Sequence, residues 1–320
     1  MLQHQFKSIE RLYSRSVASS LLAAIVSVVS VGCQPLKGDK IAESQTQQST
    51  KPDQQLTSLN IAVIPAKNPV EQQKSLQPLA EYLTKTLGKQ VNFQIAKDYE
   101  TPVNLIAEGQ VQIAYLGPLA YVEAKQLNPQ IQPIVAPINK DTGRPWYTSV
   151  IVANTNSIRS VDDLKGKRFA FVSKSSTSGY LMPLGYFKEM GINPNSDFTK
   201  VKFSGSHAQV KTDLESGEVD AIADDKPSYL NEQKAGRFNS QKYKIIWESS
   251  PIPQGPIVIL ADKVSPELVT NLKKALVSAS EGLVDVNGAD AAGYTLVQDE
   301  DYESIRKLQA QLKLKPGQVK

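Results

Sequence analysis

Cysteine and histidine are almost absent from this sequence. Its 320 residues include one cysteine, Cys33, and two histidines, His4 and His207. A single cysteine cannot form an internal disulfide, and these three residues cannot complete a Cys/His zinc site. We therefore predict neither a disulfide framework nor a metal site. If export removes the N-terminus, His207 is the single imidazole of the remaining protein.

The sequence also lacks a large excess of charge of either sign. It has 36 Lys and Arg against 32 Asp and Glu, and no dense basic stripe. This excludes the usual electrostatic signature of nucleic-acid binding. No P-loop, no Gly-x-Gly-x-x-Gly fingerprint in a suitable context and no Gly-x-Ser-x-Gly elbow is present. We predict a protein that is not an enzyme and has no cofactor. An enzyme that uses carboxylates alone stays open, without positive support.

The N-terminus has the composition of an export signal. Three basic residues precede an uncharged apolar run at 17–31. This run is too short to cross a ~30 Å hydrocarbon core comfortably, but it suits a secretory signal. The small residues before Cys33 resemble the processing site of bacterial lipoproteins, in which that cysteine is lipidated. We predict a signal peptide at 1–32 and a lipid anchor at Cys33. An ordinary signal peptide with an incidental cysteine, or an uncleaved anchor, is the alternative.

The next segment, 33–58, is polar. It is rich in Gln, Ser, Thr, Lys and Asp and poor in apolar side chains. Such a segment buries too little surface to offset its ordering entropy, so it predicts a flexible tether. A lipid, a tether and a folded body in this order predict an exported protein. We expect it to be anchored in the membrane by its lipid and to work on the periplasmic side of a bacterial membrane.

Strand-like and helical patterns alternate in the body. An apolar strand pattern at 59–64 leads to a helical pattern at 70–87, which Gly88 ends. A further strand pattern follows at 91–96, and the alternation continues. Alternating strands and helices favour an α/β fold with mainly parallel sheets flanked by helices.

Two similar halves are indicated by a pattern that occurs twice. A helix that ends at glycine and leads into a strand is present at 105–114 and at 213–222, although such units recur in any α/β protein. The extended apolar segments 147–153 and 252–260 are the natural crossovers between two lobes. A ligand site is then expected between the lobes, near the carboxyl ends of strands.

The length also fits about two domains. The tail is helical by period at 266–283 and 302–312, and we expect it to pack on the first lobe. The predicted first lobe comprises 59–147 and 254–320, and the predicted second lobe comprises 148–253.

Hydroxyl side chains begin one of the predicted helices. Ser176, Thr177 and Ser178 follow the strand pattern at 168–172. Hydroxyls and free backbone N–H groups at a helix start form a cradle for an anion. The same run is also typical of an ordinary N-cap.

Two further candidates follow predicted strands. His207 lies at a second strand-to-helix turn, where the alternatives are a ligand contact and a surface or capping histidine. Asp224 and Asp225 follow the strand pattern at 219–223. Such pairs are usually solvated loop residues, helix caps or turn formers.

Several motifs, taken in order, resemble one family. They are Lys97-Asp98-Tyr99, Ile113-Ala-Tyr-Leu-Gly-Pro118, Trp146-Tyr147-Thr-Ser-Val, Ser176-Thr-Ser-Gly-Tyr180 with Pro183, Gly205-Ser-His207 and Ser250-Pro-Ile-Pro-Gln-Gly-Pro256. From Leu59 to about Leu283 the chain resembles the periplasmic substrate-binding proteins of phosphonate and phosphite ABC importers. These are two-lobed type II periplasmic binding proteins, with two crossover strands as their hinge.

The resemblance implies a role for each hydroxyl and for the histidine. Ser176, Thr177 and Ser178, with their backbone amides, would hold a phosphorus oxyanion. His207 would donate a hydrogen bond to one oxygen of that anion. The lobes would close over the ligand about the hinge.

The resemblance also implies roles for two phenols and one acid. Tyr99 would reach the ligand from the first lobe, and Tyr147 from the crossover strand. Asp225, or otherwise Asp224, would supply an acidic residue. A carboxylate beside an anion requires a ligand that carries a proton for it to accept, as hydrogen phosphite, a monoprotonated phosphonate or an amino group on the substituent would supply.

One departure from the family pattern bears on the ligand. Relatives that bind aminoalkyl phosphonates tend to have an acidic residue where this chain has Gln254-Gly255. We therefore favour phosphite, methylphosphonate or another small, uncharged substituent, and phosphate stays open. The implied partners are an ABC permease and its ATPase, and we expect a monomer. The rivals are a binding protein for another anion such as a sulfonate, a periplasmic sensor or adaptor, and a periplasmic enzyme.

Overall fold

The computed structural model describes residues 57–279, 283 and 291–315. The predicted signal peptide, Cys33 and the predicted tether up to residue 56 lie outside the described residues. Within the described part of the chain, no helix has both the length and the apolar character needed to cross a membrane.

Thirteen strands and nine α-helices alternate along the described residues. The strands, β1 to β13, are Ser58–Val63, Gln90–Ile95, Ile113–Tyr115, Ile131–Asn139, Trp146–Tyr147, Ser149–Asn154, Arg168–Phe171, Lys200–Phe203, Ala221–Asp225, Tyr243–Glu248, Ile252–Pro253, Ile257–Leu260 and Ala291–Leu296. The α-helices, α1 to α9, are Pro69–Leu87, Glu100–Ala107, Pro118–Leu127, Met182–Glu189, Pro194–Asp197, His207–Glu215, Lys226–Lys234, Pro266–Val277 and Glu303–Gln311. A π-helical turn, Thr177–Leu181, leads directly into α4.

The longer strands form two separate sheets. The first has the order β13-β4-β12-β3-β1-β2, and β1 runs parallel to β2 and β3. The second has the order β10-β6-β9-β7-β8, and β7 runs parallel to β8 and β9. Strands β12 and β6 run antiparallel to their neighbours. The prediction of an α/β fold with mainly parallel sheets flanked by helices is confirmed, with these reversed strands inside the sheets.

Each sheet defines a lobe. We call the first sheet with α1, α2, α3 and α8 the first lobe, and the second sheet with α4 to α7 the second lobe. The strands of the first sheet come from 58–139 and 257–296, and those of the second come from 149–248.

Helix α1 shows how the sequence specifies an element of the first lobe. The side chain of Asn68 caps it by accepting the N–H of Val70 at 3.0 Å, and it ends at Gly88. Leucines at helical spacing form its buried face, namely Leu76, Leu79 and Leu83. Burying one leucine stabilises a fold by roughly 1.5–3 kcal/mol. The apolar stripe therefore holds α1 on the sheet, and the helix predicted at 70–87 is confirmed.

The two predicted crossover strands are each interrupted, which corrects the prediction of continuous strands. Strands β5 and β11 pair with each other in a separate antiparallel ribbon, and β6 and β12 begin only after a break. Pro253 and Pro256 bracket the second break and have no N–H to donate to a ladder. Between them, a Cβ on Gly255 would lie 2.3 Å from the backbone oxygen of Leu116, so only glycine fits there.

The last helix, α9, contacts both lobes. Gln126 of α3 donates from Nε2 to Gln309 Oε1 at 2.9 Å, which ties α9 to the first lobe. Lys188 of α4 donates from Nζ to the backbone oxygen of Gln311 at 2.8 Å, and Leu308 packs on α4. The expectation that the tail packs on the first lobe therefore describes one of its two contacts.

Candidate functional site

A cavity lies where the two lobes meet. The space not filled by atoms there is about 360 Å³, a figure that includes the part open to solvent. Its lining comes from both lobes and from the segments that join them, and consists of Ile64, Tyr99, Tyr115, Gly117, Pro118, Tyr147, Ser176, Thr177, Ser178, His207, Asp225, Gln254 and Gly255. All seven residues that the sequence predicted as ligand contacts are among them. That they bind a ligand stays a prediction.

Five helical segments begin at this cavity. Their first or capping residues line it, namely Tyr99 of α2, Gly117 of α3, Ser176 of the π-helical turn, His207 of α6 and Asp225 of α7. Helix starts present unpaired N–H groups and the positive end of the helix dipole. Among the described lining residues there is no Lys or Arg. The arrangement suits a small anion held by neutral donors.

The predicted hydroxyl run is both a cap and a wall of the cavity. Ser176 accepts the N–H of Gly179 at 3.0 Å, so the N-cap reading is correct for this residue. A Cβ on Gly179 would lie 2.3 Å from Val172 Cγ2, so glycine lets the helix start pack on the end of β7. The backbone oxygen of Ser178 accepts the hydroxyl of Ser149 at 2.6 Å. The capping geometry thus fixes the hydroxyls at the cavity.

The lobes contact each other directly around the cavity. The N–H of Leu119 in α3 donates to Thr177 Oγ1 at 2.8 Å. The hydroxyl of Ser173 donates to Glu100 Oε1 at 3.0 Å. Tyr99, which the first lobe supplies, is buried, and its phenol is hydrogen-bonded to the side chain of Ser176 in the second lobe. These contacts define a closed arrangement of the lobes.

A buried charge network supports the histidine. His207 Nδ1 lies 2.6 Å from Asp224 Oδ1 and 3.2 Å from Asp225 Oδ2. Lys211 Nζ lies 3.2 Å from Asp224 Oδ2, and the Asp224 side chain is 0% exposed. Because the carboxylates occupy Nδ1, the ring nitrogen left for a ligand is Nε2.

The two neighbouring aspartates have different environments. Burial alone raises the pKa of Asp224, but the Lys211 ammonium and the His207 imidazole outweigh it and hold that pKa below its ordinary value. Burial, together with the charge of Asp224, raises the pKa of Asp225 above its ordinary value, although His207 opposes this. Asp224 is therefore a fixed negative charge behind the cavity. Asp225 lines the cavity and is the more readily protonated of the two carboxyl groups.

The same cluster offers three donor atoms to a metal. The ligand atoms of His207, Asp224 and Asp225 lie within 4.8 Å of one another. Lys211 already supplies a positive charge to Asp224, and His207 Nδ1 is already hydrogen-bonded. These contacts favour an ion-pair and proton-sharing network over a metal centre.

Sequence reasoning missed some of these residues. Lys211 was not singled out, although it follows His207 by four positions and therefore shares its face of α6. Tyr115, Gly117 and Pro118 belong to a motif that carried the family resemblance, but they were given no role. Ile64 carries no chemical signal, because an apolar residue at a strand end is indistinguishable from core.

Two α/β lobes with crossing connections and an anion-suited cavity between them define the class of type II periplasmic binding proteins. The sequence profile of the family described as "ABC transporter, phosphonate, periplasmic substrate-binding protein" matches residues 61–302. The chain belongs to this family.

Relatives agree with this assignment. The phosphate-import protein PhnD of Mycolicibacterium smegmatis is 28% identical over 295 residues, which cover 86% of this chain and 92% of that protein. A probable ABC transporter phosphite binding protein, PhnD1 of Prochlorococcus marinus, is 27% identical over 197 residues, which cover 59% of this chain and 65% of that protein. The solved structure of PhnD1 from Prochlorococcus marinus in complex with methylphosphonate has a TM-score of 0.72 at 22% identity and covers 82% of this chain and 99% of that one. At this identity the structural likeness shows the fold.

Proposed function

We propose that this protein captures a small phosphorus oxyanion, namely phosphite, methylphosphonate or a similar phosphonate, for an ABC importer. The observation that carries the proposal is the convergence of five helix starts and three hydroxyls on one cavity that His207 and Asp225 also line. Oxygens of a tetrahedral anion can each accept hydrogen bonds from several of these donors. The family's role in transport supports a binding protein over an enzyme.

The acid in the cavity favours a ligand that carries a proton. A phosphorus oxyanion with one P–OH group donates a hydrogen bond from that group to Asp225. Its other oxygens accept hydrogen bonds from the hydroxyls and from His207. The raised pKa of Asp225 helps, because burial and the charge of Asp224 strengthen its hold on a proton. A sulfate or sulfonate has no such proton near neutral pH. The negative charge of a sulfate or a sulfonate would therefore be repelled by the carboxylate of Asp225.

The rest of the lining favours a small substituent without charge. Ile64 and Tyr115 bound the cavity from the first lobe, and the neutral Gln254 lies at the position that differs from the aminoalkyl-phosphonate binders. The names of the relatives give phosphate, phosphite and methylphosphonate as ligands. Phosphate is the second candidate, because the longer of the two sequence matches is to a phosphate-import protein.

Lobe closure is the proposed mechanism of capture. The anion first meets the hydroxyls and helix starts of the second lobe, and Tyr99 then closes over it from the first. Contacts made only in the closed form shift the population towards that form, which a permease can recognise. We propose 59–147 with 254–320 as the first moving body and 148–253 as the second.

We propose an ABC permease with its ATPase as the partners, and a monomer lipid-anchored at Cys33 on the periplasmic side of a bacterial membrane. The mass of the purified protein tests the anchor, since lipidation adds a diacylglyceryl group to Cys33. A binding protein of an importer is expected to restore phosphite uptake with its permease, whereas a sensor or adaptor would not.

Calorimetric titration tests the ligand. We expect phosphite and methylphosphonate to bind with similar affinity and similar binding enthalpy. Phosphate should bind less tightly, and sulfate should not bind. His207→Gln removes a ring nitrogen at the cavity and should weaken the binding of each ligand, whereas Lys234→Gln, at the exposed far end of α7, serves as the control. Failure of every phosphorus oxyanion to bind would refute the proposal.

A further inference from the structure

A further carboxyl group, that of Glu123, is buried where the lobes meet but does not line the cavity. Glu123 lies on α3 of the first lobe and is 5% exposed. Its carboxyl is hydrogen-bonded to the side chain of Ser175 in the second lobe. The Oε2 atom of Glu123 has no hydrogen-bond partner among the described residues. A carboxylate in that position would keep one charged oxygen without a donor.

Among the described residues, the groups that shift the pKa of Glu123 include no Lys or Arg. Glu100 of α2 adds a second negative charge, and Tyr180 of the π-helical turn adds a neutral phenol. Strand β4 has no titratable side chain along its length. Lys125 of α3 donates to the backbone oxygens of Pro129 and Ile131. Lys174 precedes Ser175 in the chain, and its Nζ lies 5.8 Å from the centre of the Phe203 ring. A further cation to consider is Arg306 on α9, which packs on α3.

That cation is also engaged elsewhere. Arg306 of α9 forms ion pairs with Asp299 at 2.9 Å and with Glu303 at 2.9 Å. Asp299 also accepts the phenol of Tyr121, which lies on α3 with Glu123. The charge of Arg306 is thus matched within its own cluster.

From this geometry we propose that Glu123 is protonated when the lobes are closed, so that closure takes up a proton. The proposal rests on the proposed function, because closure is read out through ligand binding. The carboxyl of Glu123 acts as a pH-sensitive latch between α3 and the segment that carries Ser175. When the lobes part, Glu123 is freed from the second lobe and water hydrates its carboxylate.

The expected pH dependence follows from the two states. In the closed form, burial and then the charge of Glu100 raise the pKa of Glu123 from 4.5 to about 7, although Ser175 opposes this. In the open form we expect the ordinary value. Below about pH 4.5 the group is protonated in both forms, so closure has no proton penalty. Between about pH 4.5 and 7 the equilibrium constant for closure falls by roughly five- to tenfold per pH unit. The total fall approaches a ceiling of about 300-fold and is nearly complete by about pH 8.

Glu123→Gln tests the latch, since glutamine keeps the size and cannot ionise. The Kd for phosphite is measured by calorimetry at pH 5, 6, 7 and 8 for both proteins. Titration of phosphite and of the cavity residues affects both proteins equally, so it cancels in the ratio of the two Kd values. We expect the ratio of the wild-type Kd to the Glu123→Gln Kd to rise by roughly 40-fold from pH 5 to 7 and by less than about twofold more from pH 7 to 8. Glu189→Gln, at an exposed carboxyl of α4, should give a flat ratio.

A second variant keeps the test sharp if Glu123→Gln folds poorly. Glu100→Gln removes the neighbouring negative charge that raises the pKa of Glu123. The pH range over which Kd changes should therefore end at a lower pH in this variant than in wild type. Titrations at pH 6 in two buffers of different ionisation enthalpy should also show that wild type takes up nearly one proton more than Glu123→Gln. A ratio that stays constant with pH overturns the latch and leaves the proposed function standing. Absence of binding to every phosphorus oxyanion overturns both.

Discussion

Thr177→Val removes a contact that only the closed arrangement makes. Thr177 Oγ1 accepts the N–H of Leu119 from the opposite lobe at 2.8 Å, and Thr177 is 2% exposed. Valine has nearly the same shape but no hydroxyl, so closure would bury that N–H without a partner. An unsatisfied buried donor costs about 1–3 kcal/mol. This corresponds to a Kd about 5- to 150-fold weaker.

The assay is calorimetric titration with phosphite, combined with urea unfolding of the ligand-free protein. In the open form water hydrates the N–H of Leu119, so the free energy of unfolding should change by less than about 0.5 kcal/mol. Thr177→Ser is the matched control, because it keeps the hydroxyl. Losing its methyl group costs at most about 0.8 kcal/mol, or about fourfold in Kd.

Two results would refute this reasoning. Thr177 also lines the cavity, and any lost donation to the ligand adds to the effect of the lost contact with Leu119. A loss of affinity smaller than about fivefold in Thr177→Val therefore contradicts the closed-form contact. Equal losses in the valine and serine variants would show that the methyl group or local packing matters and the hydroxyl does not.

Three further variants test other parts of the structure. Lys211→Met leaves Asp224 buried without its ammonium partner and should lower the free energy of unfolding by about 3–5 kcal/mol. Lys226→Met, at an exposed ion pair, should lower it by less than about 1 kcal/mol. Equal losses in the two variants would contradict the buried network of Lys211, Asp224 and His207. Because the pKa of Asp224 is held below 3.8, its pairing should stabilise wild type above about pH 4 and be lost in stronger acid, and Lys211→Met should flatten that dependence in urea unfolding across pH. Gly255→Ala places a Cβ 2.3 Å from a backbone oxygen and should lower the Tm; an unchanged Tm would show that the loop can shift. Asp225→Asn removes the repulsion of unprotonated anions, so calorimetry should show the preference for phosphite over sulfate fall by roughly tenfold or more, and an unchanged preference would contradict the proton-sharing role.

The class of fold was largely predictable, because the hydrophobic period along each segment is a local property. The helix at 70–87 and the strands around it follow from apolar spacing and from a glycine stop. The crossover segments 147–153 and 252–260 were read as continuous strands, since a run of extended apolar residues contains no signal of where it changes sheets. Pairing with a distant strand decides that, and β5 with β11 forms its own ribbon.

The sequence by itself determined which chemical groups the protein has for the site. A run of three hydroxyls at a helix start, one histidine in the body and a pair of neighbouring aspartates are all visible without coordinates. Helix-start chemistry is local, because the cap and the N–H groups that it leaves free lie within a few residues of each other. This is why the hydroxyl run, His207 and the two aspartates could be singled out as candidates from sequence, whereas Tyr99 and Tyr147 were named only through the family resemblance.

The tertiary structure alone decided how those groups are charged and paired. Only packing shows that Asp224 lies behind the cavity on Lys211 while Asp225 faces into it. Only the contact between the two lobes shows Glu123 buried beside Ser175. The physical reason is that desolvation and Coulomb interactions depend on what approaches from distant parts of the chain. Two adjacent aspartates with the same sequence signal therefore acquire opposite pKa shifts.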